Sequence, residues 1–201
     1  MFNDKFDLTQ AVLDGRKTMT RRAISEKLWD RWTDYDDFCN SVSVENIPTK
    51  RQYYDEKDFF LNNAPYKLGE VVAIAQSYES VYHECGLETM DMLVSSLKYN
   101  AGWTNKMFVK ADLMPHHIEF TDCKVERLQD ISDEDCLKEG IYEDSGDDEF
   151  PPSIFYEFEG NKDDGFDTPR EAFAALIDKI SGRGTWNNNL YTFAYEFELI
   201  D

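Results

Sequence analysis

Nine residues near the C-terminus constrain the fold most. Tyr191, Phe193, Tyr195, Phe197 and Leu199 alternate with Thr192, Ala194, Glu196 and Glu198, the period of a half-buried β-strand. Such a strand needs partners. His116 to Leu128 predicts a second long one, in which Ile118 and Phe120 share a face and Cys123 and Val125 continue in the opposite phase. That phase change predicts a bulge or bend at Thr121-Asp122, as a barrel requires. The turn Pro65-Tyr66-Lys67-Leu68-Gly69-Glu70 launches a strand from Val71 to Ser77, and Met107 to Lys110 predicts another.

Helices are marked by their ends. Thr168-Pro169-Arg170-Glu171 combines a capping box with proline at the first helical position. Phe173, Leu176, Ile177 and Ile180 then recur at helical spacing, and Gly182 closes the helix. Ser132 caps a second helix, with Asp135 at its third position and Gly140 at its end. Asp7 to Asp14 predicts a third, capped by Asp7 with Gln10 three residues on and stopped by Gly15. Residues 26–64, rich in Trp, Tyr, Phe and Asp without clean period, read as an insertion or a long, partly helical active-site loop. Residues 79–105 read as a second excursion with a short helix at about 88–98. Residues 142–167 hold ten acids and one lysine, the composition of a solvated, mobile loop. There is no internal repeat. The expected architecture is one α+β domain over residues 1–201, a small bent sheet or barrel with flanking helices and long loop insertions. A chain of 201 residues buries roughly 70% of its unfolded surface and needs no staples.

Charge narrows the partners. Against a net charge of -20, residues 1–32 carry seven cations and five acids, a local surplus of +2. The remainder stands at -22 and would repel a nucleic-acid duplex. A small basic pocket for a nucleoside, a nucleotide or a few single-stranded bases remains compatible. The four cysteines form no CxxC pair. Cys136, next to a staple residue at Ile131, and Cys123, alternating with core residues, read as small hydrophobes rather than nucleophiles. His83 and Cys85 lack a matching zinc pair, and His116 and His117 point to opposite faces of a strand, so no metal or cofactor is expected. Met1-Phe2-Asn3-Asp4-Lys5 leads straight into a polar amphipathic segment, with no secretory leader expected. Val71–Ala75 is the longest aliphatic run, too short to span a bilayer. Together these predict a cytoplasmic protein with reduced thiols.

The positive charge concentrates in Gly15-Arg16-Lys17-Thr18-Met19-Thr20-Arg21-Arg22, four cations and two hydroxyls in eight residues. Cations at a helix C-terminus offset its dipole, which accounts for Arg16 and Lys17 but not for two threonines among two further arginines. A lysine crowded by cations, or desolvated, loses its proton and serves as a general base. A threonine hydroxyl in reach then becomes a nucleophile. In an extended strand Lys17 and Thr20 face opposite ways, whereas in a turn they share a face. Cooperation between them predicts a turn at residues 17–20.

The motif Gly15–Arg22 resembles the signature of ASCH-domain proteins, a branch of the PUA-like superfamily. Tyr66-Lys67-Leu68-Gly69-Glu70-Val71-Val72 is similar to the family's Gly-Asp turn into a strand, with Glu70 at the aspartate position. The likeness extends to Val125-Glu126-Arg127-Leu128-Gln129-Asp130-Ile131-Ser132, to the helix ending Lys138-Glu139-Gly140-Ile141, and to Trp186-Asn187-Asn188-Asn189 with the aromatic strand. Ala75-Gln76 stands where many phage relatives carry an Arg-Glu pair. The whole is most like the ASCH-like proteins of bacteriophages and prophages. The resemblance implies a PUA-like β-barrel with a cleft beside the signature and an association with RNA or modified nucleosides. Among small bacterial relatives it implies an amidohydrolase that deacetylates N4-acetylcytidine. Carried over, Lys17 is the base, Thr20 the acyl acceptor and Glu139 a proton shuttle or substrate anchor.

Three functions therefore stand open. One is hydrolysis of an N-acylated nucleoside by Lys17, Thr20 and Glu139. A second is RNA or modified-base binding without chemistry, with Arg16, Thr18, Arg21 and Arg22 holding the ligand and Tyr78 or Trp186 stacking on a base. A third is an acidic accessory protein acting through protein–protein contact. The oligomeric state is left open.

Overall fold

The two long strands pair with each other as their patterns require. In the computed structural model, which describes residues 2–41, 54–85, 96–145, 154–161 and 165–200, β1 (Met19–Ala23), β2 (Val71–Ala73), β3 (His117–Arg127) and β6 (Tyr191–Leu199) form one antiparallel sheet. Its order is β1-β6-β3-β2. A separate hairpin pairs β4 (Tyr142–Ser145) with β5 (Ile154–Glu157).

Register assigns each side chain to a face. Thr20 pairs with Tyr195 and Tyr195 with Cys123, while Arg22 pairs with Phe193 and Phe193 with Val125. These residues share the inner face, because directly opposed residues of a ladder project to the same side. Arg21, Ala194 and Lys124 form the adjacent row and project outward. The register shifts between Phe120 and Asp122. That bulge is the one the phase change implies, and it keeps Ile118, Phe120, Cys123 and Val125 on one face despite their spacing. The edge strands β1 and β2 both line a single inner cavity, so the sheet curls into a half-barrel.

The inner face carries the larger core. Phe120, Phe193, Tyr195 and Phe197 pack with Phe59 and Phe60 of α3 (Glu56–Asn62) and with Trp29, Trp32 and Tyr35 of α2 (Glu26–Ser41). The described parts of segment 26–64 are thus a largely helical cover for the core, and none of those residues lines the cavities at β1. A second cluster joins Phe6, Leu8, Leu128, Ile131, Cys136, Phe158, Phe173 and Leu176. It packs α5 (Asp133–Lys138) against α6 (Pro169–Ser181), which follow α1 (Leu8–Leu13) and α4 (Tyr78–Cys85) in the chain, with α7 (Thr185–Asn188) after them. Ser132 and Thr168 cap α5 and α6, accepting from the amides of Asp135 and Glu171.

Several expectations need correction. Asp7 precedes α1 in a left-handed conformation at φ 50° and makes no side-chain cap, because its carboxylate lies toward Arg16 at 3.9 Å. Strand β2 stops at Ala73. Lys106–Phe108 is a 3-10 turn, not a strand, because the Asn105 side chain accepts from the Met107 amide and closes it. The helix expected at about 88–98 falls largely outside the described residues. The acidic segment 142–167 is not wholly a loop. Its β4–β5 hairpin is extended by a bridge between Tyr156 and Phe166, and buried Phe158 stacks on Phe166 and anchors it. Strand β6 is covered on both faces from Thr192 to Tyr195, where half-burial was expected, because α5 caps the outer face through charged side chains. Among the described residues, no helix is long and apolar enough to cross a membrane.

Candidate functional site

The basic motif is laid down from the end of α1. Gly15, at φ 72°, turns the chain, and the Lys17 amide donates to Ala11 O at 2.8 Å. The Thr18 amide then donates to Lys138 O, and Thr18 O accepts from Phe197 N. Those bonds bring the motif alongside both α5 and β6. From Met19 onward it is strand β1, so the turn expected at residues 17–20 is absent. The β6 ladder fixes the motif instead, and lysine and threonine keep the opposite orientations of an extended chain.

Lys17 is 3% exposed and Glu139 4%. Lys17 Nζ donates to Glu139 Oε2 at 2.6 Å and to the Glu139 carbonyl at 2.7 Å. The carbonyl is available because Glu139 is the C-cap of α5, where backbone acceptors lack intrahelical partners. Gly140 follows at φ 101°, and a Cβ there would meet Leu8 Cδ2 at 3.2 Å and the Lys17 stem at 3.7 Å. Glycine therefore lets the chain leave α5 while staying close to the lysine.

Glu139 also accepts from Arg21, whose guanidinium is almost wholly buried. Arg21 Nη1 donates to Glu139 Oε1 at 3.1 Å, and Nη2 donates to Glu126 Oε1 at 2.6 Å and Asp135 Oδ2 at 3.1 Å. Lys124 Nζ reaches the same Asp135 oxygen at 2.9 Å. Ala194, between Arg21 and Lys124 in register, is small enough for both long side chains to meet over it. Sheet and α5 are thus joined by a charged layer in which each carboxylate faces a cation.

The electrostatics of the two cations differ. Burial pulls the pKa of Lys17 down, Glu139 opposes that fall, and the charges of Arg22 and Arg21 add to it; the balance lies below the ordinary lysine value. Burial also works against charge on Arg21, but Glu139, Glu126 and Asp135 outweigh it and push its pKa up. Arg21 is therefore a fixed cation and Lys17 a titratable one. A neutral lysine amine has two hydrogens and one lone pair. Both hydrogens have acceptors on Glu139, which leaves the lone pair for a proton.

Lys17, Glu139, Thr20, Arg21 and Arg22 all line one cavity of about 250 Å³, closed on its apolar side by Phe2, Leu8, Phe173 and Leu176. Thr20 is 9% exposed. β1 is an edge strand, and the cavity wraps that edge, receiving Lys17 and Arg21 from one side and Thr20 and Arg22 from the other. The other candidate residues lie elsewhere. Arg16 is on the surface, donating to Asp14. Thr18 makes the backbone bonds described above. Tyr78 is buried, and its hydroxyl accepts from the Lys110 amide. Trp186 packs on Phe173 and under Arg170. Neither ring is part of the cavity wall.

Sequence reasoning missed Glu126 and Asp135 as partners of Arg21. The outward phase of Glu126 with Lys124 on β3 was the available signal for the first. Phe2 carried no signal. Burial pushes the Cys136 thiol up to about 12 and that of Cys123 up to about 11, so neither is a thiolate at neutral pH. Among the described residues, no group of three or more His, Cys, Asp or Glu side chains is arranged to hold a metal ion.

Comparison with known protein families gives no match, and no curated protein or solved structure matches the chain.

Proposed function

We propose that the chain is a divergent ASCH-like protein of the PUA-like superfamily, and an amidohydrolase that removes the acyl group from an N-acylated nucleoside. The supporting observation is Lys17, a buried lysine of depressed pKa held at 2.6 Å by Glu139 on the wall of a cavity that Thr20 also lines. A lysine whose pKa is lowered by burial and a specific charge partner in a cleft is the pattern of a catalytic group. The half-barrel sheet, with the basic motif on its edge, supports this reading, since the ASCH resemblance implies a bent sheet with a cleft beside the signature. A cytoplasmic location suits a nucleoside substrate.

The chemistry balances with water as the second reactant. Neutral Lys17 takes the Thr20 hydroxyl proton as Oγ1 bonds to the acyl carbon. The carbon–nitrogen bond then breaks, the leaving amine takes the proton back from Lys17, and the acyl group remains as a threonine ester. Water, deprotonated by Lys17, hydrolyses the ester and restores the hydroxyl. Glu139 holds the lysine in place and tunes its proton affinity. The RNA-binding alternative is less well supported, because the Arg21 guanidinium is committed to three carboxylates and is not available to phosphate.

Incubation with N4-acetylcytidine, followed by release of cytidine, tests the proposal. Lys17→Ala and Thr20→Val should each lower kcat/KM by roughly 10²-fold or more, the usual scale for a positioned acid–base or nucleophilic group. No turnover by the wild type, or turnover unchanged in Lys17→Ala, rejects it.

A further inference from the structure

A second cavity, of about 110 Å³, lies inside the curled sheet, lined by Tyr66, Val72, Ile74, Ile118 and Phe120. It shares three wall residues with the first cavity, namely Phe2, Thr20 and Arg22. Register places Thr20 on the inner face, opposite Tyr195. Its side chain therefore stands on a wall common to a charged chamber and an apolar one. A nucleophile so placed cuts a bond whose two halves lie on either side of it.

We infer that the scissile bond joins a nucleoside amine to an aliphatic acyl chain longer than acetyl, with the chain held in the inner cavity. This rests on the deacylase function proposed above. The polar half belongs in the larger chamber, where Lys17 can return a proton to the departing nitrogen. The acyl chain belongs in the smaller one, whose side chains apart from Arg22, Thr20 and the Tyr66 hydroxyl are hydrocarbon and aromatic. Size sets the upper limit. An apolar cavity of roughly 150 Å³ takes a benzene ring, so the inner chamber is too small for an aromatic acyl group and suits a chain of about four carbons. An acetyl group would leave most of it unfilled. Each further methylene taken out of water contributes about 0.8 kcal/mol, roughly a fourfold gain in transition-state binding. The step is the same as for any acyl group. Thr20 Oγ1 bonds to the carbonyl carbon, the amine leaves with the proton from Lys17, and water releases the fatty acid.

The test is the kcat/KM series for N4-acetyl-, N4-butyryl- and N4-benzoylcytidine. The wild type should prefer butyryl over acetyl by roughly fifteenfold, from two added methylenes, and should turn over benzoyl more slowly than acetyl. Val72→Phe, which fills the inner chamber from an edge strand, should abolish the butyryl preference in the folded variant. Equal rates for acetyl and butyryl, a benzoyl preference, or a butyryl preference that survives in folded Val72→Phe overturns the inference. If that variant does not fold, the wild-type series decides alone. Acetyl turnover without the preference sinks this inference only, whereas no turnover of any acylcytidine removes the deacylase function with it.

Discussion

Replacing Glu139 with glutamine isolates what the carboxylate does for Lys17. Arg21 keeps Glu126 at 2.6 Å and Asp135 at 3.1 Å, so it remains paired, and the loss falls on the lysine. Lys17 retains the Glu139 carbonyl, which the substitution leaves in place. Removing one partner of a buried ion pair costs roughly 3–5 kcal/mol when the other must stay charged. Lys17 can escape by releasing its proton, at about 1.36 kcal/mol for each pH unit below an ordinary lysine pKa near 10.4. That ceiling is roughly 4.6 kcal/mol at pH 7 and 1.9 kcal/mol at pH 9. Glu139→Gln should therefore destabilise the protein by about 3 kcal/mol at pH 7 and by less than about 2 kcal/mol at pH 9. Lys17→Met combined with Glu139→Gln should cost at least about 1 kcal/mol less than the sum of the single changes, since each single change leaves the other partner stranded. Urea unfolding followed by tryptophan fluorescence, with unchanged slopes, measures all three variants. In kinetics, loss of the carboxylate lowers the Lys17 pKa further, so the alkaline rise of kcat/KM in Glu139→Gln should begin at lower pH. Additivity within about 0.5 kcal/mol, or an equal cost of Glu139→Gln at pH 7 and pH 9, would refute the coupling.

Three further outcomes follow from the same layer. Burial opposes charge on Asp135, but Lys124 and Arg21 hold its pKa below the ordinary value. Its contribution is therefore present above about pH 4 and lost as pH falls through the folded value. The stability gap between wild type and Asp135→Asn should accordingly narrow as pH falls below about 4 in urea titrations. Gly140→Ala forces a side chain onto φ 101° and against Leu8; it should cost at least about 1 kcal/mol and lower Tm by roughly 2–4 °C. Ser132→Ala removes the cap on the Asp135 amide and should cost about 1 kcal/mol, read by the same thermal melts.

Legibility in the sequence followed the reach of the forces involved. The bulge at Thr121-Asp122, the caps at Ser132 and Thr168 and the period of β6 are set by neighbours along the chain, and their signals were local. Helix α2 was legible in principle, since Leu28, Trp32 and Tyr35 fall on one face at four- and three-residue spacing. Four aspartates between Asp30 and Asp37 masked that face. The hairpin in the acidic segment was hidden in the same way, because its anchor Phe158, which packs against Phe6 and Phe166, sits between Glu157 and Glu159 inside the run of charge. Met107 and Phe108 misled in the opposite direction, as apolar residues that the Asn105 cap holds exposed. The contact between Lys17 and Glu139 spans 122 residues, and no local pattern could imply it. Only the family resemblance named both residues.

The absent turn at residues 17–20 changes how a lysine and a threonine three apart can serve one site. In a central strand they would be separated by the sheet itself, with neighbouring strands closing both sides. Among the described residues, β1 has β6 on one side and no strand of the sheet on the other. A cavity can therefore pass around its free edge and meet side chains from both faces, which is where the 250 Å³ cavity lies. On this account, moving Thr20 to the lysine's side of the strand should not help catalysis. A Thr20→Ala, Arg21→Thr double variant puts a hydroxyl on the same face as Lys17 but away from the inner chamber. It should remain inactive toward acylcytidines in a cytidine-release assay, and recovery of activity would show that the shared wall is not what places the nucleophile.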